Sequence, residues 1–448
     1  MISKGNYSDT FVNVSKRNIV IIGNGISGIT AARHIRKLSD DAITVISSES
    51  PYFFSRTALM YVFMGHMKFE HTQPYENWFW EKNRINLITD HILAVRTSDH
   101  TLEMQSGAVL EFDVLIIASG SLPNQLKCEG ENLKGVQSLY SRQDLELLEK
   151  NTAAGVVQAV IAGGGLIGIE LAEMLASRKI AVQFLVREKN FWGNVLPAAE
   201  SSLVSAHMRS HGIELRESSE VAEFVGDDHG RLVAVRTKDG EVIPCQLAGI
   251  TAGVRPNVDF LKHTEIELGR GVKVDPFFES SVEGIYAIGD CAELREPPLG
   301  RRTIEPVWYA GRLMGEQLAQ NLCGNPSVYD PGPWFNSAKF FDLEYQVYGE
   351  IAAAPSSSAE SLYWEHSGRK KCLRIQYDRS TSVLQGIHAI GMRLQHEVIA
   401  QWLKQGRSVH FVVDHLVEIN FDGEFSIRHE QEIQRSCMEQ LSVNANQS

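Results

Sequence analysis

Apolar residues gather into short continuous runs, and several of these runs break abruptly into glycine. Asn18–Ile22 (NIVII) stops at Gly23, and Val157–Ala162 (VQAVIA) stops at Gly163. Runs of this length bounded by glycine predict buried strands. Helical segments follow, the first from Ser27 to about Leu38, and lead to further apolar strands at Ala42–Ile46 and Ala181–Val186. Alternating strands are predicted from Ile85 to Leu110, and the apolar run Phe112–Ala118 closes on Ser119-Gly120. Val156–Ala176 comes nearest to a membrane span, but Glu170, Glu173 and its glycines make it a strand–helix unit instead. Strands alternating with helices predict an α/β fold.

The glycines at the two breaks share one spacing. Gly23-x-Gly25-x-x-Gly28 and Gly163-x-Gly165-x-x-Gly168 stand 140 residues apart in the same register. In such a motif the first glycine permits the tight turn, the second lets a pyrophosphate approach the backbone, and the third lets helix and strand pack closely. The phosphates face the helix N-terminus, here Ile26-Ser27 and Leu166-Ile167. Two such sites in one chain point to electron transfer between two nucleotide cofactors. An acidic residue about 20 positions beyond the glycines holds a ribose hydroxyl. Glu49 is close to that place in the first unit, with Ser47 or Ser48 able to share the role. In the second unit Arg187 and Glu188 are adjacent, one suited to a 2′-phosphate and the other to a free hydroxyl, so the choice between NADH and NADPH stays open. Arg56, among aromatics after the second strand, is placed to reach a pyrophosphate.

Composition narrows the picture. A chain of 448 residues is too long for one core, and 43% hydrophobic with 22% charged residues is ordinary for a globular protein. A net charge of -12 argues against nucleic-acid binding. The stretch to about Ser15 is polar with no apolar core, so it reads as a loose tail and the protein as cytoplasmic. The six cysteines form no C-x-x-C or C-x-x-x-x-C pair, and His396, His410, His415 and His429 share no spacing with carboxylates; neither a redox disulfide nor a metal is expected.

At this point the residues carry a resemblance. The chain is similar to the flavin-dependent pyridine nucleotide oxidoreductases of the glutathione-reductase-like fold, most of all to the ferredoxin, rubredoxin and nitrite-reductase-associated reductases. The resemblance implies FAD at the first glycine motif and NAD(P)H at the second. Ala118-Ser119-Gly120 matches the segment returning to the flavin, and Ala252-Gly253-Val254-Arg255-Pro256 the turn leading back to the first domain. Gly284–Ala292 matches the second flavin motif, in which Gly289-Asp290 brings a carboxylate to the ribityl chain. By the same resemblance the Val307 backbone N–H, beside Trp308, reaches the flavin ring, and the backbone at Ile92 contacts adenine. Glu170 falls where relatives place a glutamate near the nicotinamide. Tyr61 replaces a lysine near flavin N5, leaving Arg56 or a backbone N–H to stabilise reduced flavin. Asn336 stands where an aromatic residue usually faces the flavin.

The resemblance divides the chain into a tail (1–15), a discontinuous FAD-binding domain (16–125 and 248–325), an NAD(P)-binding domain (126–247) and a C-terminal α+β interface domain (326–448). The first two are Rossmann-like dinucleotide-binding domains. Phe53–Tyr61, where thiol-dependent branches carry cysteine, has none. The implied activity is therefore hydride transfer from NAD(P)H to flavin N5 and electron delivery to a small ferredoxin or rubredoxin-type carrier. NADH oxidase, quinone reductase, electron-input subunit and non-enzymatic redox sensor are the alternatives. The last domain would supply a docking or dimer surface, with Arg301-Arg302 and Arg369-Lys370-Lys371 as basic candidates.

Overall fold

A computed structural model describes residues 16–354, 356–424 and 427–445. The tail expected at 1–15 lies outside the described residues. The first domain is built on a parallel sheet whose strands run in the order Ile285–Ala287, Val114–Ile117, Asn18–Ile22, Ala42–Ser47, Ile85–Thr89. Ile19, Val20, Ile21, Leu115 and Ile116 are fully buried, which is why these strands read as unbroken apolar runs. Ile85–Thr89, expected among alternating strands, instead joins this sheet beside Ala42–Ser47. The antiparallel strands begin only at Ile92–Arg96, followed by Thr101–Met104 and Val109–Glu111.

Two helices pack together beside this sheet. Ile26–Leu38 buries Ile29, Ala31, Ala32 and Ile35, and Trp308–Leu322 crosses it closely. The crossing depends on Gly311 and Gly315: a Cβ at Gly315 would lie 2.6 Å from the Ser27 carbonyl oxygen. The small-x-x-x-small spacing in this helix is the sequence signal for that contact.

The second domain repeats the plan, with parallel strands in the order Glu214–Glu217, Ala181–Val186, Gln158–Ala162, Leu247–Ile250, Val136–Ser138. Leu247–Ile250 pairs with Gln158–Ala162, so the chain leaves this domain after Ile250 and not at the 247/248 boundary set from the sequence. The return runs through the antiparallel pair Ser121–Pro123 and Val254–Pro256, which ties the two domains together.

The third domain is a five-stranded antiparallel sheet in the order Phe335–Phe340, Leu343–Gly349, Leu384–Ile390, Cys372–Asp378, Ala359–Glu365. Helices His396–Lys404 and Glu430–Ala445 pack against it. It docks on the second domain through the helix Ala198–Ser210. Glu200 of that helix, fully buried, accepts two hydrogen bonds from Arg374 at 2.5 and 2.9 Å and lies 3.4 Å from His388. Among the described residues no helix is long and apolar enough to cross a membrane.

Candidate functional site

The two glycine turns have the same construction. Gly23 has φ +111° and Gly163 φ +126°, a backbone region that side chains avoid, and a Cβ at either would collide with a carbonyl of the neighbouring strand, Ala118 or Thr251. Gly28 and Gly168 sit against packed atoms; a Cβ at Gly168 would be 2.7 Å from both the Gly163 carbonyl and the Phe184 ring. Gly25 and Gly165 differ, since a Cβ there would meet nothing within 4 Å. Each is the N-cap of its helix and supplies no side-chain acceptor. The first-turn amides at Ile26-Ser27 and Leu166-Ile167 therefore border open space, with room for a pyrophosphate and a dipole that favours it. Both loops fit the group that such motifs hold.

The Gly289-Asp290 turn closes on the first of these cradles. Gly289 has φ +75°, and a Cβ would strike the Ser27 side chain, so the turn abuts the first helix where that helix begins. Asp290 accepts a hydrogen bond from the Ser121 hydroxyl at 3.0 Å. Desolvation raises its pKa, opposed by the Ser121 bond and by the Arg56 charge. Ser119 donates to the Asn257 carbonyl at 2.7 Å, fixing the Ala118-Ser119-Gly120 turn. Gly253, with φ +85°, accepts from the Asn124 amide where the chain crosses back. Ile92 is buried at the head of its strand.

Several of the expected residues already have partners within the protein. Arg56 and Glu49, assigned to pyrophosphate and ribose, bind each other: the guanidinium donates to both carboxylate oxygens at 2.8 and 2.5 Å and to the Tyr140 carbonyl at 2.7 Å. Glu49 also accepts from the Arg142 amide. The pair is a strong bidentate arrangement, and Ser48 lies exposed directly after the strand. The Val307 amide donates to the Glu305 carbonyl at 2.8 Å, so the free helix N-terminus begins one residue later, at the half-buried Trp308. Asn336 lies in a strand and faces away from Phe335, whose ring packs 5.0 Å from those of Tyr309 and Tyr348. Arg301 is not a docking residue. Its side chain is 5% exposed and forms a bidentate pair with the buried Glu305. Arg369 and Lys370 are likewise paired, with Glu365 and Asp342.

In the second domain the two adjacent residues diverge. Glu188 turns back toward the glycine loop, its Oε2 3.7 Å from the Cβ position of Gly164. Arg187 points outward, 71% exposed, and reaches Glu188 at 3.0 Å.

The domains meet where the short helix Leu59–Phe63 packs on Leu166–Ser177. This contact brings Tyr61 into the field of Glu170 and Glu173. Burial first, then the Glu173 charge, pushes the Glu170 carboxyl up to about 7. Burial and the two carboxylates raise the Tyr61 phenol. Glu173, overlooked in the sequence, accepts the Phe341 amide at 2.6 Å and so links this junction to the third domain. Its signal was the i,i+3 spacing of two glutamates in an otherwise apolar helix. The cysteines are all unpaired, and Cys245, Cys291, Cys372 and Cys437 are buried, their thiol pKa values raised by desolvation. Among the described residues no reactive thiol faces this junction.

Glu170 above its ordinary value holds a proton at pH values where a free glutamate does not. Folding stability therefore falls as pH rises from about 4.5 through 7, because the folded state binds the extra proton over that window. Glu170→Gln is expected to raise the melting temperature at pH 8 and to flatten this decline, as read by thermal melts across pH 5–8.

Two glycine cradles of the dinucleotide type, one in each of two domains in contact, define a class of redox protein. The family described as pyridine nucleotide-disulphide oxidoreductase matches residues 17–314, and the chain belongs to that family. It is 30% identical over 342 residues to the 5,5′-dehydrodivanillate O-demethylase ferredoxin reductase subunit of Sphingobium sp., covering 75% of this chain and 82% of that one. It is 27% identical over 387 residues to nitrite reductase [NAD(P)H] of Bacillus subtilis, covering 85% of this chain; the chain spans 47% of that relative's length. The covalent putidaredoxin reductase–putidaredoxin complex has the same fold, with TM-score 0.80, 17% identity, and coverage of 94% and 99% of the two chains.

Proposed function

We propose that this chain is an FAD-dependent NAD(P)H oxidoreductase that passes electrons to a small iron-sulfur carrier of the ferredoxin or rubredoxin type. The observation that carries the reading is a pair of open glycine cradles in two domains that meet where Tyr61 lies in the field of Glu170, with no reactive thiol there among the described residues. A thiol-dependent reductase needs a positioned thiolate there. The relatives named as ferredoxin reductase and nitrite reductase support a carrier-linked role. Six unpaired cysteines suit the reducing cytoplasm, where we place the activity.

The backbone amides of Gly25, Ile26 and Ser27, with Ser48 and Asp290, would hold FAD; those of Gly165, Leu166 and Ile167, with Glu188, would hold the nicotinamide nucleotide. Bound FAD would supply the conversion of two-electron hydride chemistry into single-electron transfer. The protein's share is position and electrostatics. Trp308 opens a long helix whose positive end favours negative charge nearby. Tyr61 adds no charge where relatives place lysine, and Glu170 keeps its own carboxyl neutral up to about pH 7.

Glu188 beside the loop favours a free ribose hydroxyl over a 2′-phosphate. NADH is expected to outperform NADPH in kcat/KM by at least about tenfold, a difference of about 1.4 kcal/mol in binding the transition state. Glu188→Ala should narrow that ratio, and equal use of both coenzymes by the unaltered protein would count against the role given to Glu188. The carrier reading is tested by reoxidation: NADH-reduced protein should pass electrons to a ferredoxin or rubredoxin faster than to dissolved oxygen. The reverse order would make it an oxidase.

A further inference from the structure

The helix Ala198–Ser210, whose Glu200 end is locked to the third domain, carries at its other end groups that electron transfer does not use. His207 lies in the last turn and His211 caps the helix C-terminus four residues on, their rings 4.4 Å apart. Opposite them stands Asp342, at the tip of the hairpin joining Phe335–Phe340 to Leu343–Gly349. His207 Nε2 lies 2.6 Å from Asp342 Oδ1, and His211 Nε2 lies 3.4 Å from the same atom. One ligating atom from each of the three residues falls within 4.8 Å of the others.

Two details suit a metal better than a plain hydrogen bond. The His207 side chain is only 2% exposed, and despite its closeness to Asp342 its Nε2 makes no hydrogen bond of good geometry. A buried nitrogen left in that state calls for a partner. The His211 Nδ1 lies 3.0 Å from the His207 carbonyl oxygen; donating to it leaves the Nε2 lone pair directed at Asp342, as metal-bound histidines are commonly oriented. The Lys370 ammonium holds the other oxygen of Asp342, Oδ2, at 3.2 Å. Its charge opposes a cation, but its bond turns Oδ1 toward the histidines. The Phe341 ring, 4.6 Å from that of His211, supplies an apolar flank.

We propose that His207, His211 and Asp342 form a site for one divalent transition-metal cation, best matched by zinc, which clamps the third domain to the second. Two imidazoles and a carboxylate suit zinc at about 2.0–2.2 Å per bond and leave a fourth position for water. Tetrahedral bonds of that length set neighbouring ligand atoms roughly 3.3 Å apart. The His211–Asp342 spacing already meets this, and the His207–Asp342 contact has to open by about 0.7 Å. Asp342, 56% exposed, can make that adjustment, and with His211 at 33% it gives the ion a way in. Because the adjacent Phe341 amide is bonded to Glu173, a bound ion would also fix the strand end that reaches the Glu170 helix.

The test is metal binding by the untagged, full-length protein after treatment with EDTA, followed by equilibrium dialysis and calorimetric titration with ZnCl2. One Zn2+ per chain and a raised melting temperature are expected. His211→Gln and Asp342→Asn, both at partly exposed positions, should weaken binding by more than about a hundredfold, since even outer-shell partners are worth 10–100-fold. Both variants should also lose the thermal shift. Circular dichroism checks their folds. No stoichiometric zinc on the unaltered protein overturns the site, as does undiminished binding by both variants.

Discussion

Gly165→Val yields a folded, yellow protein that NADH no longer reduces. The prediction rests on the contrast among the three glycines of one motif. A side chain at Gly163 would strike the Thr251 carbonyl, and one at Gly168 would press on Gly163 and Phe184, so substitution at either damages the domain. At Gly165 the added atoms enter open space, and their cost falls on whatever pyrophosphate comes there. Because the first domain has its own cradle, FAD should stay bound. Loss of at least about 3 kcal/mol in transition-state binding, more than a hundredfold in kcat/KM, is expected from excluding the phosphates. The mirror variant Gly25→Val should lose its flavin and emerge colourless. The pair is checked by the absorbance of the purified proteins and by anaerobic mixing with NADH. Reduction of Gly165→Val at the unaltered rate would remove the nicotinamide site from this loop.

Glu200→Ala is expected to produce the largest loss of stability. The glutamate is fully buried and its two oxygens are taken by Arg374, itself 13% exposed. Removing the carboxylate strands a buried guanidinium, which costs about 3–5 kcal/mol. Desolvation works to raise the Glu200 pKa, but the bonds to His388 and Arg374 outweigh it, and the net shift is downward. The stabilisation is therefore complete above the ordinary glutamate value of 4.5 and is lost as pH falls through the lower folded-state value. The interface should consequently weaken in acid in the unaltered protein and not in the variant. Replacing both partners with apolar residues, Glu200→Leu with Arg374→Met, should recover much of the loss, because the desolvation cost disappears with the charges. Denaturant unfolding followed by tryptophan emission reads all three. A single-variant change within about 0.5 kcal/mol, the range of an ordinary surface substitution, would contradict the account.

Local physics explains which parts of this molecule could be read in advance. Parallel strands buried on both faces leave unbroken apolar runs, and tight βα turns demand glycine, so Asn18–Ile22 and Gln158–Ala162 declared both sheets and their cradles. Contacts made at long range left weaker marks. Arg56 and Glu49 each fitted a ligand role when considered separately, and only the folded chain shows that they satisfy one another across seven residues. Leu247–Ile250 looks like any short strand; its membership of the second sheet follows from pairing with a segment nearly 90 residues away. Glu200, Arg374 and His388 are ordinary residues in sequence, and it takes the docking of two domains to bury them together. The Glu170–Glu173 pair was half legible: its spacing placed both on one helix face, but the elevated Glu170 pKa comes from burial at the junction.

The central claim is that two cofactor sites in separate domains share one electron path. Anaerobic titration of the purified yellow protein with NADH tests it most directly. The account predicts bleaching of the flavin absorbance near one equivalent of NADH per chain, with the colour returning on addition of an oxidised ferredoxin. A flavin that stays yellow under excess NADH and excess NADPH, or a protein purified without flavin, would contradict it.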